Sequence, residues 1–214
     1  MWIVTEDERH ALEASWLSFA IKRADMQPVA AWWRELDQRY SEPHRHYHTH
    51  GHIRDMLQLV YGEAATAAAW FHDIVYDPTR SDNEAASAGV AAVALRELGF
   101  TVLTTDVVTQ LIRATETHEP RGLPPQALSF LDADLAILGS PRDRYAEYRE
   151  AIRREYAFFS DDEFRERRRA FLDRFLTRRR IYLTDTMRDR YESNARANIE
   201  WELAKWGTEV EDRL

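Results

Sequence analysis

The chain has 214 residues, of which 44% are hydrophobic and 31% are charged, so it can form one large domain with a hydrophobic core. It contains no cysteine, which excludes disulfides, zinc–thiolate sites and a thiol nucleophile and suits a reducing, cytoplasmic location. The formal net charge of −8 argues against a general nucleic-acid binder, and no apolar run is long enough to span a bilayer, so we expect no membrane partner.

Helical periodicity runs through the first sixty residues or so, interrupted by few glycines and prolines. Thr5 and Glu8 form a capping-box pattern, which predicts the start of a first helix. Pro28 suits the first turn of a second helix. A third amphipathic stripe, 53–60, follows a histidine-rich stretch and predicts a short helix.

The helical pattern continues to the C-terminal part of the chain. The alanine-rich segment 64–76 predicts a buried helix, because small side chains let neighbouring elements approach closely. Ser81 and Glu84 form a second capping-box pattern, whose helix we expect to end at Gly99. Further helices are predicted at 105–118, 125–138, 141–159, 161–179 and 184–206. The strand-like runs, 100–105 and 180–184, are short, so the sequence predicts an all-α protein of about nine or ten helices.

Five of the eight histidines alternate along the stretch "HRHYHTHGH", which ends at His52. A strand would place them on one face, but Pro43 and Gly51 and the helix that follows favour a loop entering a helix. His48 and His52 are four residues apart, so they share a face once the chain is helical. We interpret the other three, His44, His46 and His50, as ordinary surface or core residues.

Ionisable residues also occur where apolar helices are predicted. His72 and Asp73 stand at the end of the alanine-rich helix, and Asp132 and Asp134 lie in another apolar segment. Burying such groups costs several kcal/mol unless something compensates for the lost solvation. Each carboxylate alone is readily explained by exposure to solvent. Together with His52 they make a set of two imidazoles and two carboxylates that suits Mn, Fe, Co, Ni or Zn, with Asp132 and Asp134 as alternatives.

This order of residues resembles the HD superfamily of metal-dependent phosphohydrolases, whose signature is H…HD…D on an all-α scaffold. "YHTHGHI" is similar to the Y-H-x-x-x-H segment of cyclic-nucleotide phosphodiesterases. "HDIVYD" resembles the H-D-x-x-E-D run of the alarmone hydrolases, with Tyr76 where that run has glutamate. "ADL" resembles the end of the motif in both groups. With "RHYH" and "DNEAASA", the arrangement is similar to a family of HD phosphohydrolases of about this length.

The resemblance implies an HD-domain helical bundle with additional C-terminal helices. We expect a single domain over 1–214, with the motif core at about 43–139 and a helical extension at about 140–214. The implied ligands of a divalent ion (Mn, Fe, Co, Ni, Zn or Mg) are His52, His72, Asp73 and Asp134, so the resemblance selects Asp134 over Asp132.

The resemblance also implies roles in catalysis. His48 is expected to protonate the leaving group, and Asp77 to orient or deprotonate the attacking water. Arg45 and Glu84 are candidate substrate-binding residues, since a guanidinium suits phosphate. His118 is a third candidate, although it stands at a helix end and is equally explained as a cap that interacts with the helix dipole.

The implied activity is hydrolysis of a phosphate ester or anhydride of a nucleotide or another small phosphorylated molecule. Two alternatives stay open: a cyclic-nucleotide or dinucleotide phosphodiesterase, and a non-catalytic nucleotide- or metal-binding HD sensor. The arginine-rich run 165–180 is either a surface for nucleic acid or another partner, or a solvated helix pair whose interleaved acids balance its charge. Nucleic acid is the less favoured partner, and a homo-oligomer is compatible with the sequence.

Overall fold

A computed structural model describes residues 2–120, 122–124 and 127–211. The regular elements within these ranges are all helical, which confirms the predicted all-α class. The α-helices are α1 Glu6–Ala20, α2 Met26–Tyr40, α3 His50–Leu57, α4 Glu63–Phe71, α5 Asn83–Glu97, α6 Val102–Ala114, α7 Leu128–Asp134, α8 Arg142–Glu155, α9 Asp161–Leu176 and α10 Asp185–Glu211. A 3₁₀ turn, Leu135–Gly139, follows α7. Across the described ranges, no helix combines the length and the apolar character needed to cross a membrane.

Local capping explains where several helices begin. The Thr5 hydroxyl accepts from the Glu8 backbone and the Glu8 carboxylate from the Thr5 backbone, so the first predicted capping box is confirmed. The second, at Ser81 and Glu84, is wrong: α5 begins at Asn83 after Asp82, which makes no side-chain cap bond. The start shifts because the Asn83 side chain is engaged with both backbone groups of Asp77.

Several other helix bounds also differ from the predicted ones. The alanine-rich helix ends at Phe71 rather than at 76, so the residues after His72 form a loop. The strand-like run 100–105 instead starts α6, with Thr101 as its N-cap, and 180–184 lies between α9 and α10. The start predicted at 125 lies outside the described residues. α7 ends at Asp134, where the chain tightens into the 3₁₀ turn.

The chain divides into two compact units, Met1–Ala133 and Asp134–Leu214, and the division falls within the last turn of α7. In the first unit, α4 is buried among α3, α5 and α6, as its alanines predict. Trp16 of α1 donates to Val29 O of α2 over 2.9 Å, and the Tyr40 hydroxyl donates to Trp70 O over 3.1 Å. These fully buried aromatic residues hold the end of α4 in place. The prediction of one domain stays a prediction.

The second unit contains α8, α9, α10 and the 3₁₀ turn. Its core holds a polar network in which Arg168 and Tyr145 donate to Glu202, while Arg168 also donates to the Tyr148 hydroxyl. The charges are paired, which buried ionised groups require. Asn198 on α10 donates to Leu138 O and Ser140 O, so α10 is anchored to the chain on either side of the turn's end.

Much of the arginine-rich run 165–180 is in contact with side chains of its own unit. Arg167 lies over the Phe159 ring, with 4.5 Å from Cζ to the centroid, and Arg178 lies over Phe175 at 4.7 Å. Arg165 pairs with Asp162. These contacts fit the predicted helix pair with internal charge partners, and whether the run also binds a partner stays open.

Candidate metal site

Two predicted histidine ligands meet where two helices of the first unit adjoin. His52 lies in the first turn of α3, and His72 is the residue at which α4 ends. The two residues are only 2% and 1% exposed. Their Nε2 atoms are 3.0 Å apart, so the two rings face each other across a common point.

Asp73 brings a carboxylate to the same point. Its Oδ2 is 2.8 Å from His72 Nε2 and 3.8 Å from His52 Nε2. Ligand atoms that lie about 2.1 Å from one ion and at right angles are about 3.0 Å apart. Two of the three separations therefore match neighbouring positions around a metal ion.

A backbone contact determines which nitrogen of His72 is directed towards this point. His72 Nδ1 is 3.1 Å from Ala69 O. Because a carbonyl oxygen only accepts, Nδ1 is the donor in this contact, and Nε2 is the ring nitrogen directed towards His52 and Asp73. Metal-binding histidines are commonly oriented by such a bond from the second ring nitrogen.

The electrostatic setting keeps the Asp73 carboxyl ionised. Burial by itself raises its pKa, but His72 and then His48 lower it by more, and the resulting pKa lies well below the usual range. The ionised carboxylate is the form that binds a cation.

Asp134 joins the two histidines. It is the last residue of α7, and one of its carboxylate oxygens lies within 4.8 Å of a ring nitrogen of His52 and of His72. Among the described residues, these three form a group that could hold a metal ion. Asp132, the alternative in the sequence, is fully buried and is not part of this group.

His48 lies beside the site, but for a different reason from the predicted one. α3 begins at His50, so His48 is in the turn before the helix and helical spacing does not bring it to His52. The rings of His48 and His52 are nevertheless 5.9 Å apart between centroids. Tyr76 stacks on the His48 ring at 4.1 Å and Tyr47 meets it edge-on at 4.9 Å, so two aromatic rings orient this imidazole.

Asp77 lies beyond the end of α4 at Phe71, so no helical turn connects it to Asp73. The Asp77 carboxylate accepts from the Thr79 hydroxyl over 2.6 Å and from the Thr79 backbone over 2.9 Å. These bonds lower its pKa, the hydroxyl bond most strongly. The contacts show a residue that organises the loop, and its role as a base stays a prediction.

Glu84 and His118 interact electrostatically near the site. Glu84 is half-buried in the first turn of α5, and burial raises its pKa, with further increases from Asp73 and Glu116 and an opposing effect from His118. The His118 backbone donates to Ala114 O over 2.8 Å and so closes the end of α6, with a left-handed φ of 52°. Glu84 is thus close enough to both Asp73 and His118 for their charges to affect its pKa.

The other three clustered histidines have structural contacts. His44 Nε2 is 2.8 Å from Tyr76 O. His50 is buried, with Nε2 3.2 Å from Asp37 Oδ1, and burial lowers its pKa although Asp37 opposes the shift. His46 is half-buried. These positions agree with the interpretation of the three as ordinary surface or core residues.

The prediction that Arg45 binds the phosphate of a substrate requires a correction. Its side chain is fully buried and donates to backbone carbonyls and to Glu42, so it does not face solvent as a phosphate-binding arginine would. Burial of a guanidinium is tolerated because these acceptors replace its water shell.

Sequence reasoning missed the residues that hold the loop after Asp73 against α5. The Ser87 hydroxyl donates to Val75 O and accepts from Val75 N, both over 3.1 Å. The Asn83 amide bonds both backbone groups of Asp77, at 3.0 and 2.8 Å. Asn83 and Ser87 are four residues apart on an otherwise alanine-rich helix, and that spacing was an available signal of one polar face.

Comparison with known proteins does not add a relative: no family model, no curated protein and no solved structure matches this chain.

Proposed function

We propose that the protein is a metal-dependent phosphohydrolase that acts on a phosphate ester or anhydride of a nucleotide or another small phosphorylated molecule. The observation that carries the proposal is the convergence of His52 Nε2, His72 Nε2 and Asp73 Oδ2, with separations of 3.0 and 2.8 Å about His72. Two imidazole nitrogens and a carboxylate oxygen meet in a mostly buried place, and a shared cation would stabilise all three.

The donor set fits a divalent ion of the first transition series. His52, His72, Asp73 and Asp134 would hold it, and two imidazole nitrogens favour Mn, Fe, Co, Ni or Zn over Mg, which prefers oxygen. When bound, such an ion lowers the pKa of a coordinated water and neutralises charge on a phosphate. These are the two contributions that phosphate hydrolysis needs most.

Residues of this chain would supply the remaining chemistry. The His48 imidazole, held by the Tyr76 ring, is proposed to protonate the leaving oxygen. Asp77 is proposed as the base, for which it would have to exchange its bond from Thr79 for one from water. The substrate is proposed to approach from the side of Asp73 and His48, which are both partly exposed; the Asp73 side chain is 17% exposed. Glu84 and His118 are proposed to bind the substrate on the same side.

A panel assay tests the proposal. Protein stripped with a chelator and reloaded with one metal at a time is mixed with nucleoside phosphates, cyclic nucleotides, dinucleotides and p-nitrophenyl phosphate. His72→Ala is the site variant, and His10→Ala, an exposed residue of α1, is the matched control. We expect metal-dependent release of phosphate that His72→Ala abolishes and His10→Ala retains.

The same panel separates the alternatives. Turnover confined to cyclic nucleotides or dinucleotides makes the protein a phosphodiesterase. Metal-dependent nucleotide binding without turnover makes it a sensor. Equal metal content in the wild type and His72→Ala overturns the metal site itself.

A further inference from the structure

Arg45 is buried near the start of the histidine-rich stretch, and its guanidinium links two stretches of chain that are distant in sequence. Nη1 donates to His48 O over 3.1 Å and to Asp73 O over 2.6 Å. Nη2 donates to Ile74 O over 3.1 Å, and Nε donates to Glu42 over 2.9 Å. Four of the five guanidinium donors therefore have protein acceptors.

Aromatic rings enclose the same guanidinium. Its Cζ lies 5.0 Å from the Tyr40 ring centroid and 5.4 Å from that of Tyr76. Tyr40 in turn donates to Trp70 O near the end of α4, and Tyr76 stacks on the His48 ring. Arg45 is thus joined to the elements that present His48 and His72.

We propose that Arg45 is a positioning residue: it holds the turn that leads into His52 and the loop that begins at Asp73 at the separation that metal binding requires. This inference rests on the proposed function. The guanidinium acts through carbonyl oxygens and touches no reacting atom, so its effect is on the geometry of the ligands. The loop leaves α4 directly after His72, and Ile74 N donates back to Phe71 O over 3.2 Å, while Arg45 donates to the carbonyls of Asp73 and Ile74.

Lysine cannot substitute for this arrangement. The planar guanidinium has fixed donor directions, and it donates to three carbonyls and one carboxylate at once. The lysine ammonium is a compact point charge without such fixed directions. Replacing Arg45 with an apolar side chain leaves the carbonyls of Asp73 and Ile74 without this donor in a buried place. The loop is then expected to change conformation so that these carbonyls find other donors.

The test compares Arg45→Met and Arg45→Lys with Arg196→Met. Arg196 is a matched control because its guanidinium also binds one carboxylate and two carbonyls, those of Glu192, Leu176 and Arg178, within the second unit. Folding is checked by circular dichroism. Co²⁺ is titrated into each metal-free protein to give a dissociation constant and a d–d absorption spectrum.

We expect both Arg45 variants to bind Co²⁺ about 10- to 100-fold more weakly, the range for residues that orient metal ligands, with an altered spectrum. Arg196→Met should lose stability while keeping the affinity and the spectrum. Wild-type affinity and spectrum in Arg45→Met would limit Arg45 to general stability and overturn the inference. Failure of both Arg45 variants to fold would also count against it, since the residue would then serve the whole fold.

The result distinguishes this inference from the proposed function. Wild-type protein that binds no Co²⁺ overturns the metal site and the function proposed for it. Wild-type protein that binds Co²⁺ through His72, with unchanged binding in the Arg45 variants, overturns the role of Arg45 alone.

Discussion

His52 Nε2 and His72 Nε2 lie 3.0 Å apart although twenty residues separate them in the chain. The separation exists because α3 presents His52 in its first turn while α4 ends at His72, and these two helices pack against each other. Asp73 follows His72 directly, so one helix end supplies two of the proposed ligands. The properties of this pair can be tested one residue at a time.

Asp73→Ala should remove the bound metal. The carboxylate is the group nearest to His72 Nε2, at 2.8 Å, and removing it takes away the negative charge that offsets the cation. Metal per chain is measured by elemental analysis after reconstitution and desalting. Asp55→Ala on α3 is the control, since Asp55 is comparably buried and pairs with Arg54 instead. Equal metal in the Asp73→Ala and wild-type proteins would contradict the assignment.

Asp134→Asn should also release the metal, whereas Asp132→Asn should keep it. The two residues are two positions apart on α7, about 200° around a helix, so their side chains point in different directions. Asp132 has no exposed surface, so its substitution should instead lower the free energy of unfolding. Metal analysis and urea denaturation of both variants give the comparison. The reverse pattern of metal loss would show that Asp132 is the ligand.

His48→Ala should lower turnover about 100- to 10,000-fold and leave the metal content unchanged, because general acid catalysis is worth about that much. His52→Ala should lose both turnover and metal. The measurement is the rate on the best substrate of the panel, together with metal content. His44→Ala, His46→Ala and His50→Ala should each stay within a few-fold of the wild-type rate. Uniform loss in all five variants would mean that the histidines act as one cooperative tract.

Gly51→Ala should destabilise the protein by about 1–3 kcal/mol, the usual cost of overpacking. A Cβ at this position of α3 would stand 2.3 Å from Trp2 O, which also accepts a hydrogen bond from the Thr49 hydroxyl. Gly89→Ala is the matched control, because a Cβ there meets nothing within 4 Å and alanine favours the helix by about 0.4–1 kcal/mol. Urea denaturation measures both, and a Gly51→Ala protein as stable as the wild type would contradict the close approach.

Glu84→Gln should be more stable than the wild type near neutral pH in metal-free protein. Burial raises the pKa of Glu84 in the folded state, so the carboxyl is protonated in both states well below its usual pKa. As the pH rises through the folded pKa, the unfolded chain is already ionised and the folded chain loses stability relative to the glutamine variant. The free energy of unfolding is measured from about pH 4 to 7. A difference in unfolding free energy between Glu84→Gln and the wild type that does not grow with pH would contradict this. Glu166→Gln is the control: Glu166 is exposed on α9, so the unfolding free energy of this variant should follow that of the wild type.

The sequence by itself determined the all-α class and selected residues of the candidate metal site. Helical periodicity and the Thr5 capping box are local properties, and the structure reproduces them in α1 and α2. His52, His72 and Asp134 were selected by residue type, order and resemblance, and the structure places these three together. The predictions of helical class and capping succeed because propensity and capping depend mainly on near neighbours in the chain.

Only the tertiary structure decided which groups Arg45 contacts and which rings pack on His48. In the sequence, Arg45 stands among histidines as an ordinary cation, and Tyr76 is a departure from a family motif. Packing brings Arg45 to the carbonyls of Asp73 and Ile74 and stacks Tyr76 on His48. Backbone carbonyls are the same at every position, so no residue pattern records which of them a distant side chain will meet. That is decided when the helices pack and a buried guanidinium must find acceptors.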